Sequence, residues 1–197
     1  MTGLRERTRR AVRAELAAVA IRLFTEQGFD ETTVDQIAAA AGLTKRSFFR
    51  YFPAKEDAVF GDVDVLGEEV IAEIHDEPGD DPWNCLYQVL RRWQQHINGS
   101  EQALARLRLI QTTPSLRARL HEKRAEWRQS VSDALRTRPG ARLDAFTADL
   151  LTNAAAAALD TVTQEWARSG DTADREALLH RAFTLLQPVT DPDLGTV

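Results

Sequence analysis

The sequence has a single cysteine, Cys85, so no internal disulfide can staple the fold. With no base partner identifiable for its thiol, Cys85 reads as a small buried apolar side chain rather than a nucleophile. No uninterrupted apolar stretch of about 18 residues occurs, which excludes an ordinary membrane-crossing helix. The N-terminal MTGLRERTRR carries too much charge to lead into a signal-peptide core, and the protein is expected to be soluble and cytoplasmic. His75, His96, His121 and His180 have neither paired cysteines nor an HExxH string beside them, so no metal constellation is present. A phosphate-cradling glycine loop and a nucleophile elbow are missing too. Nothing points to catalysis or to a cofactor. Sustained apolar–polar alternation is scarce, and the 10 glycines and 7 prolines leave helix-length segments between them. The fold class is therefore read as all-α, with about nine helices.

What is present is enough for a packed core, since 43% of the 197 residues are hydrophobic. The formal net charge of -5 hides an uneven distribution. Residues 1–60 hold 10 Lys and Arg against 8 Asp and Glu, which leaves 15 against 22 for the remainder. At the start, Arg5, Arg7, Arg9, Arg10 and Arg13 stand against Glu6 alone. A basic arm, a mildly basic module and then an acidic body indicate that only one end meets a polyanion.

The first helix is expected from about Arg9 to Gln27, with Val12, Leu16, Val19, Ala20, Leu23 and Phe24 on one stripe and Gly28 as its stop. Thr33 and Gln36 have the spacing of a capping box, opening a second helix that Gly42 closes. A third runs from Thr44 to Pro53. The Ala-Gly-Leu corner between the last two needs a positive φ at Gly42, and the set forms a helix-turn-helix pattern. Beyond Lys55, helices are expected at about 55–77, 83–98, 101–112, 115–138, 142–169 and 172–187, with the tail from Pro188 frayed. The domains read as 1–54 and 55–197.

In the stretch LTKRSFFRYFPAKED, Phe48 and Phe52 share one face of the third helix, and Arg46 and Arg50 point almost directly away from it. Ile37, Ala38 and Ala41 of the second helix can pack beneath the two phenylalanines. Phe49 and Tyr51 fall on the flanks, where they need a partner or stay wet.

The longer stretch FTEQGFDETTVDQIAAAAGLTKRSFFRYFPAKED, Phe24 to Asp57, resembles the N-terminal domain of the TetR family of bacterial transcriptional repressors. The shared pattern comprises the aromatic-turn-glycine exit from helix one, paired threonines before helix two, an Ile-Ala core, the Ala-Gly turn and an aromatic-rich third helix ending Tyr-Phe. The resemblance implies that the third helix reads the DNA major groove, with Lys45 and Arg46 contacting bases. Arg50, one turn on, could read a further base or hold a phosphate. Phosphate contacts are implied for Thr33, Thr44, Ser47, Tyr51 and Lys55, in keeping with their hydroxyls, helix-start positions and charge. Phe49 stands where tyrosine is common in the family and keeps only apolar contact. Arg46 stands where glycine is frequent, and Ala54 where a capping Asn or Ser is usual. Residues RLIQTTPSLRARLHEK and Trp127 resemble a C-terminal type common in actinobacterial members.

The same resemblance implies a homodimer on a near-palindromic double-stranded operator, acting as a repressor and released by a largely apolar small-molecule effector. Candidate wall residues for that effector are Trp83, Leu86, Tyr87, Leu90, Trp93 and Ile97, with His96 as a polar anchor, together with Leu107, Ile110, Trp127, Val131, Val162 and Trp166. The helix from Phe146 to Trp166 carries an apolar band too broad for one neighbour, and the last helix repeats the trait. Leu150, Leu151, Ala154, Ala158 and Val162, with Leu179, Phe183 and Leu186, are thus the candidate dimer interface. A different class of reading is a helical ligand carrier or enzyme that keeps the N-terminal module only for folding.

Overall fold

The computed structural model describes residues 3–97, 101–169 and 173–190, leaving aside the side chains of 4–6, 62–66, 68, 97, 101, 102 and 188–190. Among the described residues there are nine α-helices and no strand, as expected. They are α1 (Leu4–Gln27), α2 (Val34–Ala40), α3 (Lys45–Phe49), α4 (Gly61–Asp76), α5 (Pro82–Ile97), α6 (Glu101–Thr112), α7 (Pro114–Thr137), α8 (Ala145–Ser169) and α9 (Arg175–Thr190). A 3-10 segment, Glu56–Phe60, precedes α4, where the sequence suggested one unbroken helix. Helix α9 continues to Thr190, past Pro188, and the rest of the tail read as frayed lies outside the described residues.

The chain packs as two compact units. The first holds residues 1–67 and 100–123, and the second holds 68–99 and 124–197. By packing, residues 100–123 group with the N-terminal helices.

In the first unit, α1 packs against α2, the 3-10 segment and α6, while α2 packs on α3. Its core contains Leu16, Ala17, Ala20, Phe24, Ile37, Ala38, Phe48, Phe52 and Phe60, and Ile110 and Leu116 join the same cluster. Helix α1 starts at Leu4, earlier than the expected start near Arg9, so Arg7 of the basic arm is exposed on the helix, as is Arg9. The side chain of Arg5 lies outside the described residues, and Arg10 is engaged within the chain. Gly61 is a contact point that periodicity does not reveal. A Cβ there would stand 2.8 Å from Cζ of Phe52 and 3.2 Å from Cβ of Ala17, so the absence of a side chain lets the start of α4 lie against that ring.

In the second unit, α5 packs on α8 and α9, and α8 packs on α9. The core joins Val70 and Ile74 of α4 to Leu86 and Leu90 of α5, Val131 and Leu135 of α7, Leu151 and Val162 of α8, and Leu179 and Phe183 of α9. Cys85 is 1% exposed within it, and burial raises its thiol pKa, which disfavours the thiolate. The guanidinium of Arg138 donates to the carbonyls of Glu77 (2.8 Å) and Gly79 (2.6 Å), tying the end of α7 to the α4–α5 connection.

Candidate functional site

Helix α3 is held from below and from both ends. Its N-cap is Thr44, whose Oγ1 accepts the amide of Ser47 at 3.1 Å and shares a 3.0 Å hydrogen bond with the Ser47 hydroxyl. Before α2, the Thr33 Oγ1 accepts the amide of Gln36, while the Gln36 side chain accepts from the Thr33 amide at 2.7 Å, the reciprocal pair foreseen in the sequence. Both threonine hydroxyls are thus already engaged in capping. The corner closes by the Leu43 amide donating to the Ala38 carbonyl at 2.8 Å, with Gly42 at φ 67°. Beneath, Phe48 and Phe52 are fully buried with ring centroids 5.6 Å apart.

This burial fixes which way the other side of α3 faces. Arg46 and Arg50 are exposed. Neither makes a hydrogen bond or ion pair among the described residues, and the guanidinium of Arg50 lies 5.7 Å from the centroid of the half-buried Tyr51 ring. Phe49 is 46% exposed and edge-on to Phe48, an apolar flank beside two unpaired cations. Lys45 differs, because its Nζ lies 2.8 Å from a carboxylate oxygen of Asp35 on α2. With both partners more than half exposed, the pair contributes less than about 1 kcal/mol and gives way readily to a stronger anion. Asp35 was not foreseen as part of this surface, since nothing in the sequence couples positions 35 and 45 until the corner folds.

Lys55 has a second task that sequence reasoning missed. Its ammonium donates to the carbonyls of Phe29 (2.7 Å) and Thr32 (3.1 Å) and lies 4.2 Å from the centroid of the Phe29 ring. Replacing it by methionine keeps the stem and leaves two carbonyls without that donor, so a loss of about 1–3 kcal/mol is expected in urea denaturation. A lysine serving phosphate alone would leave stability unchanged.

The usual cap missing at Ala54 is replaced from within. Asp57, 3% exposed, accepts the Ala54 amide at 3.1 Å, and the same carboxylate receives Arg119 of α7 at 2.9 Å, with Lys123 at 3.8 Å. Those contacts fix the segment that follows the aromatic end of α3.

The expected effector-wall residues do not all come together. Trp83, Leu86, Leu90, Val131 and Val162 are buried in the core of the second unit, and Tyr87, Trp93 and Trp127 pack partly buried against it. Trp166 is 8% exposed. Leu107 and Ile110 instead belong to the first unit, where Ile110 is part of the core. His96 is exposed, with Nδ1 2.8 Å from the carbonyl of Arg92 one turn back, and so does not face that core. The side chain of Ile97 lies outside the described residues.

The candidate interface residues divide as well. Leu151, Ala158, Val162, Leu179 and Phe183 are buried inside the second unit, and Ala154 and Leu186 are half-buried. Of that set, Leu150 is open to solvent at 49%, joined by Phe146 at 75% and Leu185 at 67%.

Comparison with known proteins bears on both units. Residues 16–59 match the tetR family of bacterial regulatory proteins, and residues 81–191 match the MftR C-terminal domain. The HTH-type transcriptional regulator TcmR of Streptomyces glaucescens is 30% identical over 185 residues, 89% of this chain and 81% of that protein. Among solved structures, NalD, the secondary repressor of the MexAB-OprM multidrug efflux pump in Pseudomonas aeruginosa, superposes with a TM-score of 0.66 at 20% identity, covering 95% of this chain and all of that one. The SmeT–triclosan complex gives 0.61 at 16% identity, covering 91% of each chain. At those identities the likeness is one of fold.

Proposed function

Since this chain belongs to the TetR family of bacterial regulatory proteins and is a DNA-binding transcriptional regulator rather than an enzyme, we propose that it acts as a homodimeric repressor. The exposed side of α3 enters the major groove of a near-palindromic operator, and a largely apolar small molecule bound in the second unit releases it. The observation that carries this reading is the pair Arg46, on α3, and Arg50, at its C-cap, solvent-facing and unpaired among the described residues, opposite the buried Phe48 and Phe52. A guanidinium so placed can donate two hydrogen bonds to the O6 and N7 of guanine. Lys45 joins by exchanging Asp35 for a base or phosphate. Phe49 offers apolar contact to a thymine methyl. Ser47, Tyr51, Thr33, Thr44 and Lys55 line the flanks as phosphate contacts, with Lys55 contributing whatever donor its two carbonyls leave free.

Release by an effector is a shift between two arrangements of the dimer, one matching the half-site spacing and one not, and the effector must bind the second more tightly. The test is selection of genomic fragments by the purified chain at low ionic strength, followed by titration at rising salt. A selected sequence with two related half-sites is expected. Its affinity should fall with a log–log slope of about 0.9 per neutralised phosphate. Failure to retain any duplex over bulk DNA would contradict the proposal.

A further inference from the structure

We propose that the effector carries an anionic group, a carboxylate or a phosphate, held by Arg175 at the start of α9 with the amide of Gln94 on α5 beside it. This rests on the effector site placed above in the second unit.

Arg175 is 8% exposed, and among the described residues its Nε and Nη1 have no acceptor. Its guanidinium lies 4.0 Å from the centroid of the Trp166 ring, an arrangement that occupies its face and leaves its N–H edges available. Burial alone lowers its pKa to about 10, so the group is still a cation at neutral pH. Asp171 lies outside the described residues, and the two described carboxylates closest in sequence are used elsewhere. Glu176 receives Arg91 at 3.4 Å and Gln95 at 3.3 Å, and Asp174 accepts the amide of Ala177 at 3.0 Å. An arginine with a purely structural role would be expected to take one of them, because a desolvated cation with empty donors is costly.

Gln94 is 1% exposed, and among the described residues neither its Oε1 nor its Nε2 has a partner. Helices α5 and α9 run antiparallel, with Trp83 stacked on Phe183 at 4.4 Å, Tyr87 bonded to His180 at 3.2 Å, and Arg91 and Gln95 both on Glu176. That register puts Gln94 level with the first turn of α9, where Arg175 emerges. Two buried polar side chains without partners therefore lie at one end of the helical body, against a Trp166 that also offers apolar surface. An anion supplies acceptors for the guanidinium and for the Gln94 amide, replacing the water both have lost.

The test is calorimetric titration of the full chain with decanoate, decyl phosphate and decanol. At least one anion should bind roughly tenfold or more tighter than decanol, and which of the two does so identifies the carboxylate or the phosphate. Arg175→Gln should bring the anion down to the affinity of the alcohol and leave the alcohol unchanged. Gln94→Leu, which removes the amide but no charge, should reduce the preference by about threefold or more. Anions that bind no tighter than decanol, or a preference that survives Arg175→Gln, would overturn the proposal while leaving the effector site standing. If Arg175→Gln does not fold, an unchanged preference in Gln94→Leu overturns it instead. If none of the three probes binds, the effector-site reading falls together with this one.

Discussion

Replacing Phe146 and Leu185 together by glutamate is expected to turn a dimer in solution into a monomer, read as a halved mass by light scattering on a sizing column. Phe146 and Leu185 are 75% and 67% exposed, at the start of α8 and toward the end of α9. These two helices pack on each other, and Leu150, one turn into α8, extends the exposed apolar patch at the start of that helix. A copy of the chain related by a twofold axis would cover the patch with its own α8 and α9. Two buried glutamates facing their symmetry mates would oppose that contact by desolvation and like-charge repulsion. If each protomer reads one half-site, as proposed, losing the partner removes the effective concentration that the linkage supplies, and operator affinity should fall by about 100-fold or more. A dimer that survives both charges places the interface elsewhere.

The second large effect is on the fold itself. Phe52→Ala should destabilise the protein by about 3–5 kcal/mol, against a typical total of about 5–15. Phe52 is fully buried, its ring lies against Phe48 and over Gly61, and the guanidinium of Arg13 stands 5.2 Å from its centroid. Because Gly61 has no side chain to move into the space, the cavity collapses poorly, which places the cost toward the upper part of the range. The loss should be visible as a lowered urea midpoint for the unit that contains α3. A change below about 1 kcal/mol would mean that α3 does not depend on this floor.

Local chemistry was the legible part of the sequence. The Thr33–Gln36 capping box, the Gly42 corner and the division between buried Phe48 and Phe52 and exposed Arg46 and Arg50 depend on residues within about one helical turn of each other and stand where the sequence placed them, although α3 itself ends at Phe49 rather than at Pro53 and a turn carries the chain on to Phe52. What periodicity could not separate was the use of a wide apolar band. On α8, Leu151 and Val162 turn into the core of their own unit and Leu150 turns to solvent, yet one-helix spacing gives all three the same character. Charge was similarly ambiguous. Lys55 reads as a cation near DNA, whereas its carbonyl partners lie 23 and 26 residues upstream and only the fold brings them within reach. Ile110, an apolar residue with no local sign of its neighbours, joins the N-terminal core for the same reason.

The most direct test of the central claim, that the outward side of α3 grips a duplex, is to compare wild type and Arg46→Ala on a selected operator and on its set of single base-pair variants. Wild type should lose about 1–3 kcal/mol at particular base pairs, and Arg46→Ala should bind the parent more weakly and lose discrimination at one or two of those pairs while keeping it at the rest. An unchanged affinity and an unchanged preference at every position would contradict the account.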